Sequence, residues 1–313
     1  RHPRDIRRSD SANIPQAENG IVHEVPTEHR LQPPTPSRRV RYGRSMRYGF
    51  VVPWGDAADI GDLAEAAEES GWDGLFVWEP VWGVDAWIAL ALAAVRTSQI
   101  RLGTMLTPPS RRRPWELASQ VATVDRLSAG RVTLGVGLGA VNSGFDTFGE
   151  ECDRRVRAEL MDECLDIVCG LWAGQPFEYS GRHYTVQASE FPTIGNLEQS
   201  PRVPIWCVGA LGRPKSMERA MHWDGVIPQV LDPDVEGGAR QADLGEVAEL
   251  RTAIEAGPVP GADIVVEGQW TEHSPAAYAD AGATWWIESM WGAMSEHSPV
   301  TAAYDRLREG PPR

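Results

Sequence analysis

EESGWDGLFVW (68–78), RAMHWDGVIPQ (219–229) and YADAGATWWIE (278–288) are one joint written three times. Each begins with the end of a helix, passes a small or turn residue, and enters a run of apolar, strand-forming residues. A recurring α-to-β joint marks a repeated βα unit rather than an irregular α/β layout. The runs are apolar throughout instead of alternating, as expected of parallel strands covered on both faces.

Outward from these joints, β-rich runs fall at about 47–53, 73–78, 100–107, 131–137, 203–209, 224–229, 263–267 and 284–289. Helical patterns lie between them, among them DIGDLAEAAEES (59–70), DAWIALALAAVRTS (85–98) and PWELASQVATVDRLS (114–128). In the last, Leu117, Val121, Val124 and Leu127 share one helical face. Eight strands in about 265 residues predict a single (β/α)₈ TIM barrel. A doubly wound sheet has fewer strands and a ligand at a switch point. One interval, Gly139 to Arg202, is too long for a simple crossover, and it predicts a helix at about 155–172 and a hairpin, PFEYSGRHYTV (176–186). This insertion between the fourth and fifth strands follows a strand's C-terminal end, where barrels build their active sites.

Residues 1–45 differ from the rest: rich in Arg, Pro and Ser, without period, and carrying nine arginines against five acids. Such a segment buries too little apolar surface to order itself. The expectation is a disordered N-terminal extension over 1–45, with Met46 either the natural start or the opening of the barrel domain, 46–313. The chain as a whole is 42% hydrophobic and 24% charged, with a net charge of −14. That sign argues against a nucleic-acid partner, which needs a basic footprint. No apolar run approaches the roughly 20 residues that span a bilayer, and no secretory signal opens the chain. A soluble, cytoplasmic protein without membrane contact is expected. Cys152, Cys164, Cys169 and Cys207 form no C-x-x-C pair and have no histidines at zinc spacing, so no metal site is expected.

Several residues carry candidate chemistry. Trp54, Trp78, Trp82 and Glu79 cluster at the ends of the first two strands, where aromatics suit a pocket over a ring system. Glu288, at the end of the eighth, is a second carboxylate at the mouth, or else a barrel-end salt bridge. Glu79 and Glu288 are therefore the catalytic candidates. Arg111-Arg112-Arg113 precedes the third helix and could receive an anion, or be a solvated charge run. The loop Gly209-Ala210-Leu211-Gly212-Arg213-Pro214-Lys215-Ser216 opens a helix, with glycines that admit an anion to backbone N–H groups. Gly135-x-Gly137-x-x-Ala140 matches a dinucleotide fingerprint, but the helix-breaking Val141 to Gly144 that follows favours close strand packing instead. No Ser-His-Asp order or nucleophile elbow supports a hydrolase.

The block IRLGTMLTPPSRRRPWELASQVATVDRLSAGRVTLGVGLG (100–139) resembles the luciferase-like flavin monooxygenase superfamily, which includes FMN enzymes and enzymes of the 5-deazaflavin coenzyme F420. The likeness continues in order through FGEECDRRVRAELMDECLDIVCGLWAG (148–174), HYTV (183–186), VPIWCVGALG (203–212), HWDGVIP (222–228) and GATWWIE (282–288). The resemblance implies a flavin ring at the C-terminal mouth, against a third-strand bulge at Thr104, Met105 and Leu106, with a cis Met105–Leu106 peptide. It places Gly137 beside the ring or a neighbouring strand, and the cofactor phosphate around Gly209, Ala210, Leu211, Gly212 and Arg213, with Arg157 as a further phosphate ligand. Many relatives carry a histidine after the second strand; here Trp78-Glu79-Pro80 stands instead, which removes the family's acid–base residue. The function implied is redox chemistry on a small organic substrate through FMN or coenzyme F420, as a homodimer and, for FMN, with a separate flavin reductase. The alternative is a flavin-binding barrel without catalysis.

Overall fold

A computed structural model describes residues 46–52, 54–189, 197–232, 238–269, 274–291 and 299–312. The extension expected over residues 1–45 lies outside the described residues.

β1 (Arg47–Val52) leads to α1 (Ala57–Glu69), β2 (Gly74–Val77) to α2 (Ala86–Arg96), and β3 (Arg101–Thr104) to α3 (Pro114–Leu127). β4 (Val132–Val136) is followed by α4 (Arg154–Ala173) and by the hairpin β5 (Phe177–Ser180) and β6 (Thr185–Ser189). Then come β7 (Ile205–Ala210), α5 (Pro214–Ala220), β8 (Gly225–Leu231), β9 (Ala239–Gln241) and α6 (Leu244–Glu255). The chain continues through β10 (Asp263–Gly268), α7 (Pro275–Asp280), β11 (Trp285–Ser289) and α8 (Pro299–Arg308). Local sequence sets the helix starts. Asp56, Asp85 and Asp153 each accept two backbone N–H bonds as N-caps of α1, α2 and α4, satisfying donors the first turn leaves open. Proline stands in the first turn of α3, α5 and α7, where no N–H is needed.

Eight parallel strands run in the order β10-β11-β1-β2-β3-β4-β7-β8, and β8 pairs back onto β10. The barrel is closed, as the repeated joints predict. β9, absent from the sequence reading, pairs antiparallel with the end of β8; three residues are too few to show a period. β3 ends at Thr104, earlier than expected, and the chain rejoins β4 only at a bridge from Thr107 to Val136. Between them the Met105–Leu106 peptide is cis.

The barrel interior is a floor of rings. Phe76, Trp206 and Trp285 pack together, mostly edge to face, with centroids 5.1 to 5.9 Å apart, beside Val51, Val265, Ile227 and Ile287. Glycines opposite make the room: a Cβ on Gly49 would lie 2.7 Å from Ile287, on Gly74 2.8 Å from Phe76, and on Gly225 2.4 Å from Trp206. The Gly-rich β4 runs close to its neighbour, since a Cβ on Gly135 would lie 2.1 Å from the Thr104 carbonyl oxygen. No dinucleotide helix follows it; Val141–Ser143 form a short 3₁₀ turn. With the floor filled, open space lies above it, at the C-terminal ends of the strands.

Candidate active site at the barrel mouth

A cavity of about 780 Å³ opens there. Trp78 and Glu79 line it after β2, Met105 and Leu106 after β3, and the segment Leu138–Ser143 with Phe145 after β4. Arg154, Arg157 and Met161 enter from α4, Val208 and Ala210 from β7, Ile227 and Gln229 from β8, Glu267 from β10, and Trp291 after β11.

One side is cationic. Arg111 and Arg157 flank the Phe145 ring, their guanidinium carbons 5.4 and 5.7 Å from its centroid. Arg157 donates from Nη1 to the Leu138 and Gly139 carbonyls at 2.6 and 3.1 Å; Arg111 donates to the Pro80 carbonyl at 2.8 Å. The Nε of each is buried with no hydrogen-bond partner among the described residues. Burial draws both guanidinium groups below their ordinary pKa, yet arginine stays cationic. Arg154 and Arg219 complete this side, the latter paired with Asp162.

The rest of the wall carries indole rings and a second carboxyl besides Glu79. Trp78 and Trp291 meet edge to face at 6.0 Å, and the Trp291 indole N–H donates to Glu267 Oε1. Half-buried at the mouth, the Glu267 carboxyl is raised above its ordinary value by the loss of water, while hydrogen bonds from Trp291 and Ser289 act the other way. It has no ion pair among the described residues.

The expected site residues divide accordingly. Met105, Leu106, Arg157 and Ala210 line the cavity, and so does Glu79. Glu79 is already engaged, however: Thr107 Oγ1 donates to Oε2 at 2.8 Å and Arg112 Nε to Oε1 at 2.8 Å. Thr104 lies beneath, its hydroxyl donating to the Gly135 carbonyl at 3.0 Å. Gly137 sits under the bend, where a Cβ would come within 2.7 Å of Leu106. Gly209 faces α5, 2.8 Å from Met217 by the same measure, rather than the cavity. Leu211, Gly212 and Arg213 are off the cavity wall, Arg213 exposed. Ser216 lines it instead and accepts from the Ala210 N–H at 3.0 Å. Glu288 is turned outward to α8, where Arg306 grips both carboxylate oxygens at 2.6 and 2.7 Å. It does not join Glu79 at the mouth; of its two sequence readings, the salt bridge is the one observed. Sequence reasoning missed Glu267, Trp291 and Phe145; the signal available was a carboxylate directly after the apolar run IVV of the strand DIVVEG.

Among known proteins, the chain is 26% identical over 223 residues to an F420-dependent glucose-6-phosphate dehydrogenase of Nakamurella multipartita. That match covers 63% of this chain and 64% of the relative, less than two-thirds of its length. In structure it resembles the coenzyme F420 dependent tetrahydromethanopterin reductase of Methanopyrus kandleri, with a TM-score of 0.65 at 16% identity over 85% of this chain and 98% of that one. It also resembles the oxygenating constituent of 3,6-diketocamphane monooxygenase from Pseudomonas putida, in complex with FMN, with a TM-score of 0.55 at 16% identity, over 77% and 66%. The profile of the luciferase-like monooxygenases matches residues 27–308. With its closed barrel and the mouth cavity above the filled floor, the chain belongs to the luciferase-like monooxygenase family.

Proposed function

We propose that this barrel is an oxidoreductase working with coenzyme F420, with FMN as the second reading. One observation carries it: a cavity lined by apolar and aromatic side chains and by two arginines, Arg111 and Arg157, whose buried Nε atoms have no hydrogen-bond partner among the described residues. A flat redox ring bearing an anionic tail fits both requirements, since ring and anion need different partners. The F420-dependent names of the sequence relative and of the reductase in structure support the deazaflavin; the FMN complex of the monooxygenase supports the alternative. When bound, such a coenzyme supplies or accepts a hydride.

The chain's own residues do the rest. Arg111 and Arg157, held by carbonyls and by Phe145, present fixed donors to the anion. Met105, Leu106, Val208 and Ile227 give the ring an apolar seat, and Trp78 with Trp291 narrows the entrance to water. A catalytic barrel fits better than a flavin-binding barrel without turnover, because the family relatives are named as dehydrogenases, reductases and monooxygenases. With FMN, a separate flavin reductase would supply the reduced form for oxygen chemistry; the deazaflavin ring does not activate oxygen, and with coenzyme F420 the reaction is direct hydride transfer.

The four cysteines are free thiols, Cys152 exposed, which suits a reducing, cytoplasmic setting. No described helix is long and apolar enough to cross a membrane. Ile88 and Val95 stand 65% and 62% exposed on one face of α2, an apolar stripe that suits a homodimer contact.

Equilibrium titration with coenzyme F420 and with FMN, followed by fluorescence, tests the reading. Tight binding of the deazaflavin is the expected result, and R157A should weaken it about tenfold or more, the loss of a charge-assisted bond. Binding of neither coenzyme by folded protein would end the proposal.

A further inference from the structure

Glu267 closes β10, the seventh strand around the barrel, and the Met105–Leu106 bend closes β3, the third, so the two stand on opposite walls of the mouth. Resting on the hydride-transfer reading above, we propose that Glu267 is the residue that gives a proton to the substrate oxygen or takes one from it, and that the substrate is an uncharged carbonyl compound with an apolar body, or the alcohol formed from it.

Three observations converge on this carboxyl. The other carboxylates read as catalytic are consumed: Glu79 by Arg112 and Thr107, Glu288 by Arg306. Among the described residues the donors to Glu267 are neutral, the Trp291 indole and the Ser289 hydroxyl, which lets the carboxyl exist protonated. No histidine lines the cavity among the described residues. The cations of the cavity, Arg111, Arg154, Arg157 and Arg219, all come from the β3 loop, α4 and α5. Trp291 bonds Glu267 and packs on Trp78, and β8, the strand paired with β10, lends Ile227 and Gln229 to the cavity. Among the described residues the cations stand on the other side of the mouth, so the part of the substrate beside a protonated Glu267 meets an indole and a neutral carboxyl, which suits an uncharged carbonyl rather than a phosphate or carboxylate.

In the reducing direction, a bound reduced deazaflavin would supply the hydride to the carbonyl carbon, and the C=O π pair would move to oxygen. The O–H bond of Glu267 breaks and its proton goes to that oxygen. The products are the alcohol, the oxidised coenzyme and the Glu267 carboxylate, which regains its proton from solvent. Oxidation of the alcohol runs the same transfers backward, starting from the carboxylate.

The pH dependence follows in sign. Burial raises the Glu267 pKa, so reduction, needing the protonated form, slows as pH rises through that value. Oxidation slows as pH falls through it. Trp291 and Ser289 pack on the group directly, and Glu79, Arg111, Arg154, Arg157 and Arg219 are the charged side chains sharing its cavity.

The test begins without coenzyme. Infrared difference spectra of the whole chain against E267Q should show a protonated-carboxyl band at neutral pH that the variant lacks. Its absence, with Glu267 ionised at neutral pH, would overturn the proposal. Cyclohexanone with reduced coenzyme F420 is then compared with glucose 6-phosphate and the oxidised coenzyme. Expected are turnover of the ketone, loss of about 100-fold or more in kcat in E267Q at unchanged coenzyme affinity, and a pH limb moved upward in W291F, which removes a donor to the carboxylate. Turnover of glucose 6-phosphate without the ketone, turnover of neither by coenzyme-loaded protein, or E267Q within threefold of wild type would each overturn it. Failure of wild type to bind either coenzyme would instead remove the hydride-transfer reading beneath it.

Discussion

Arg306 donates to both oxygens of Glu288 and, from Nη1, to the Gly310 carbonyl at 2.8 Å, so this buried pair ties β11 to the end of α8. Removing one member of a buried ion pair leaves the other uncompensated, at a cost of about 3 kcal/mol. E288Q should lower the melting temperature accordingly while leaving turnover per folded molecule within a few-fold of wild type. Lost turnover at retained stability would restore a catalytic role to Glu288. Glu267 behaves oppositely, since folding raises its pKa. Such a group binds its proton more tightly in the folded chain, and the stability it contributes is full below the unfolded value of about 4.3 and is lost as pH rises through the folded value. Denaturant midpoints of wild type and E267Q at acid and alkaline pH should therefore differ: at alkaline pH the glutamine variant is the more stable. A variant less stable there would contradict the raised pKa of this half-buried carboxyl.

At the scale of the element, the barrel strands carry their constraint in glycine. A Cβ on Gly103 would lie 2.4 Å from the Thr133 carbonyl oxygen, and on Gly135 2.1 Å from that of Thr104. Both obstacles are backbone, which cannot rotate away. G103A and G135A should each cost about 3 kcal/mol or more, read as a lower urea midpoint; a neutral effect would mean the β3–β4 spacing is not as described. These glycines were visible in LGTMLT and LGVGLG, and so were all eight parallel strands, the hairpin and α4, because apolar runs and caps mark them locally. Facing was not visible. In a strand buried on both sides there is no polar alternation to set which residue turns inward. Hence Glu288 was read into the mouth although Trp285 and Ile287 are the inward residues of β11. The same lack of alternation hides Glu267, in step with inward Val265, and lets Gly209 resemble a phosphate contact although Trp206 and Ala210 hold the inward parity of β7.

For the whole molecule, a ring of repeats closes only if its last unit packs on its first. α8 does so: the Trp72 indole, just before β2, donates to the Leu307 carbonyl at 2.9 Å, and the Arg306 guanidinium lies 5.1 Å above the Trp72 ring. Ala303 and Leu307 are fully buried in the same core as Ile60, Leu63 and Trp72. Taking away α8 would uncover that core, leave Glu288 without Arg306 and open the barrel where β11 meets β1. L307A should cost about 3 kcal/mol through the cavity it leaves and still fold. A chain ending at residue 298 should lose its cooperative thermal transition altogether. The opposite outcome is proposed for residues 1–45, whose composition gives them little apolar surface to contribute: their removal should shift the melting temperature by less than about 3 °C. Calorimetry on the three variants decides the matter. If the C-terminal truncation melts cooperatively near the wild-type temperature, closure does not depend on α8, and the first seven βα units must hold the ring by strand pairing alone.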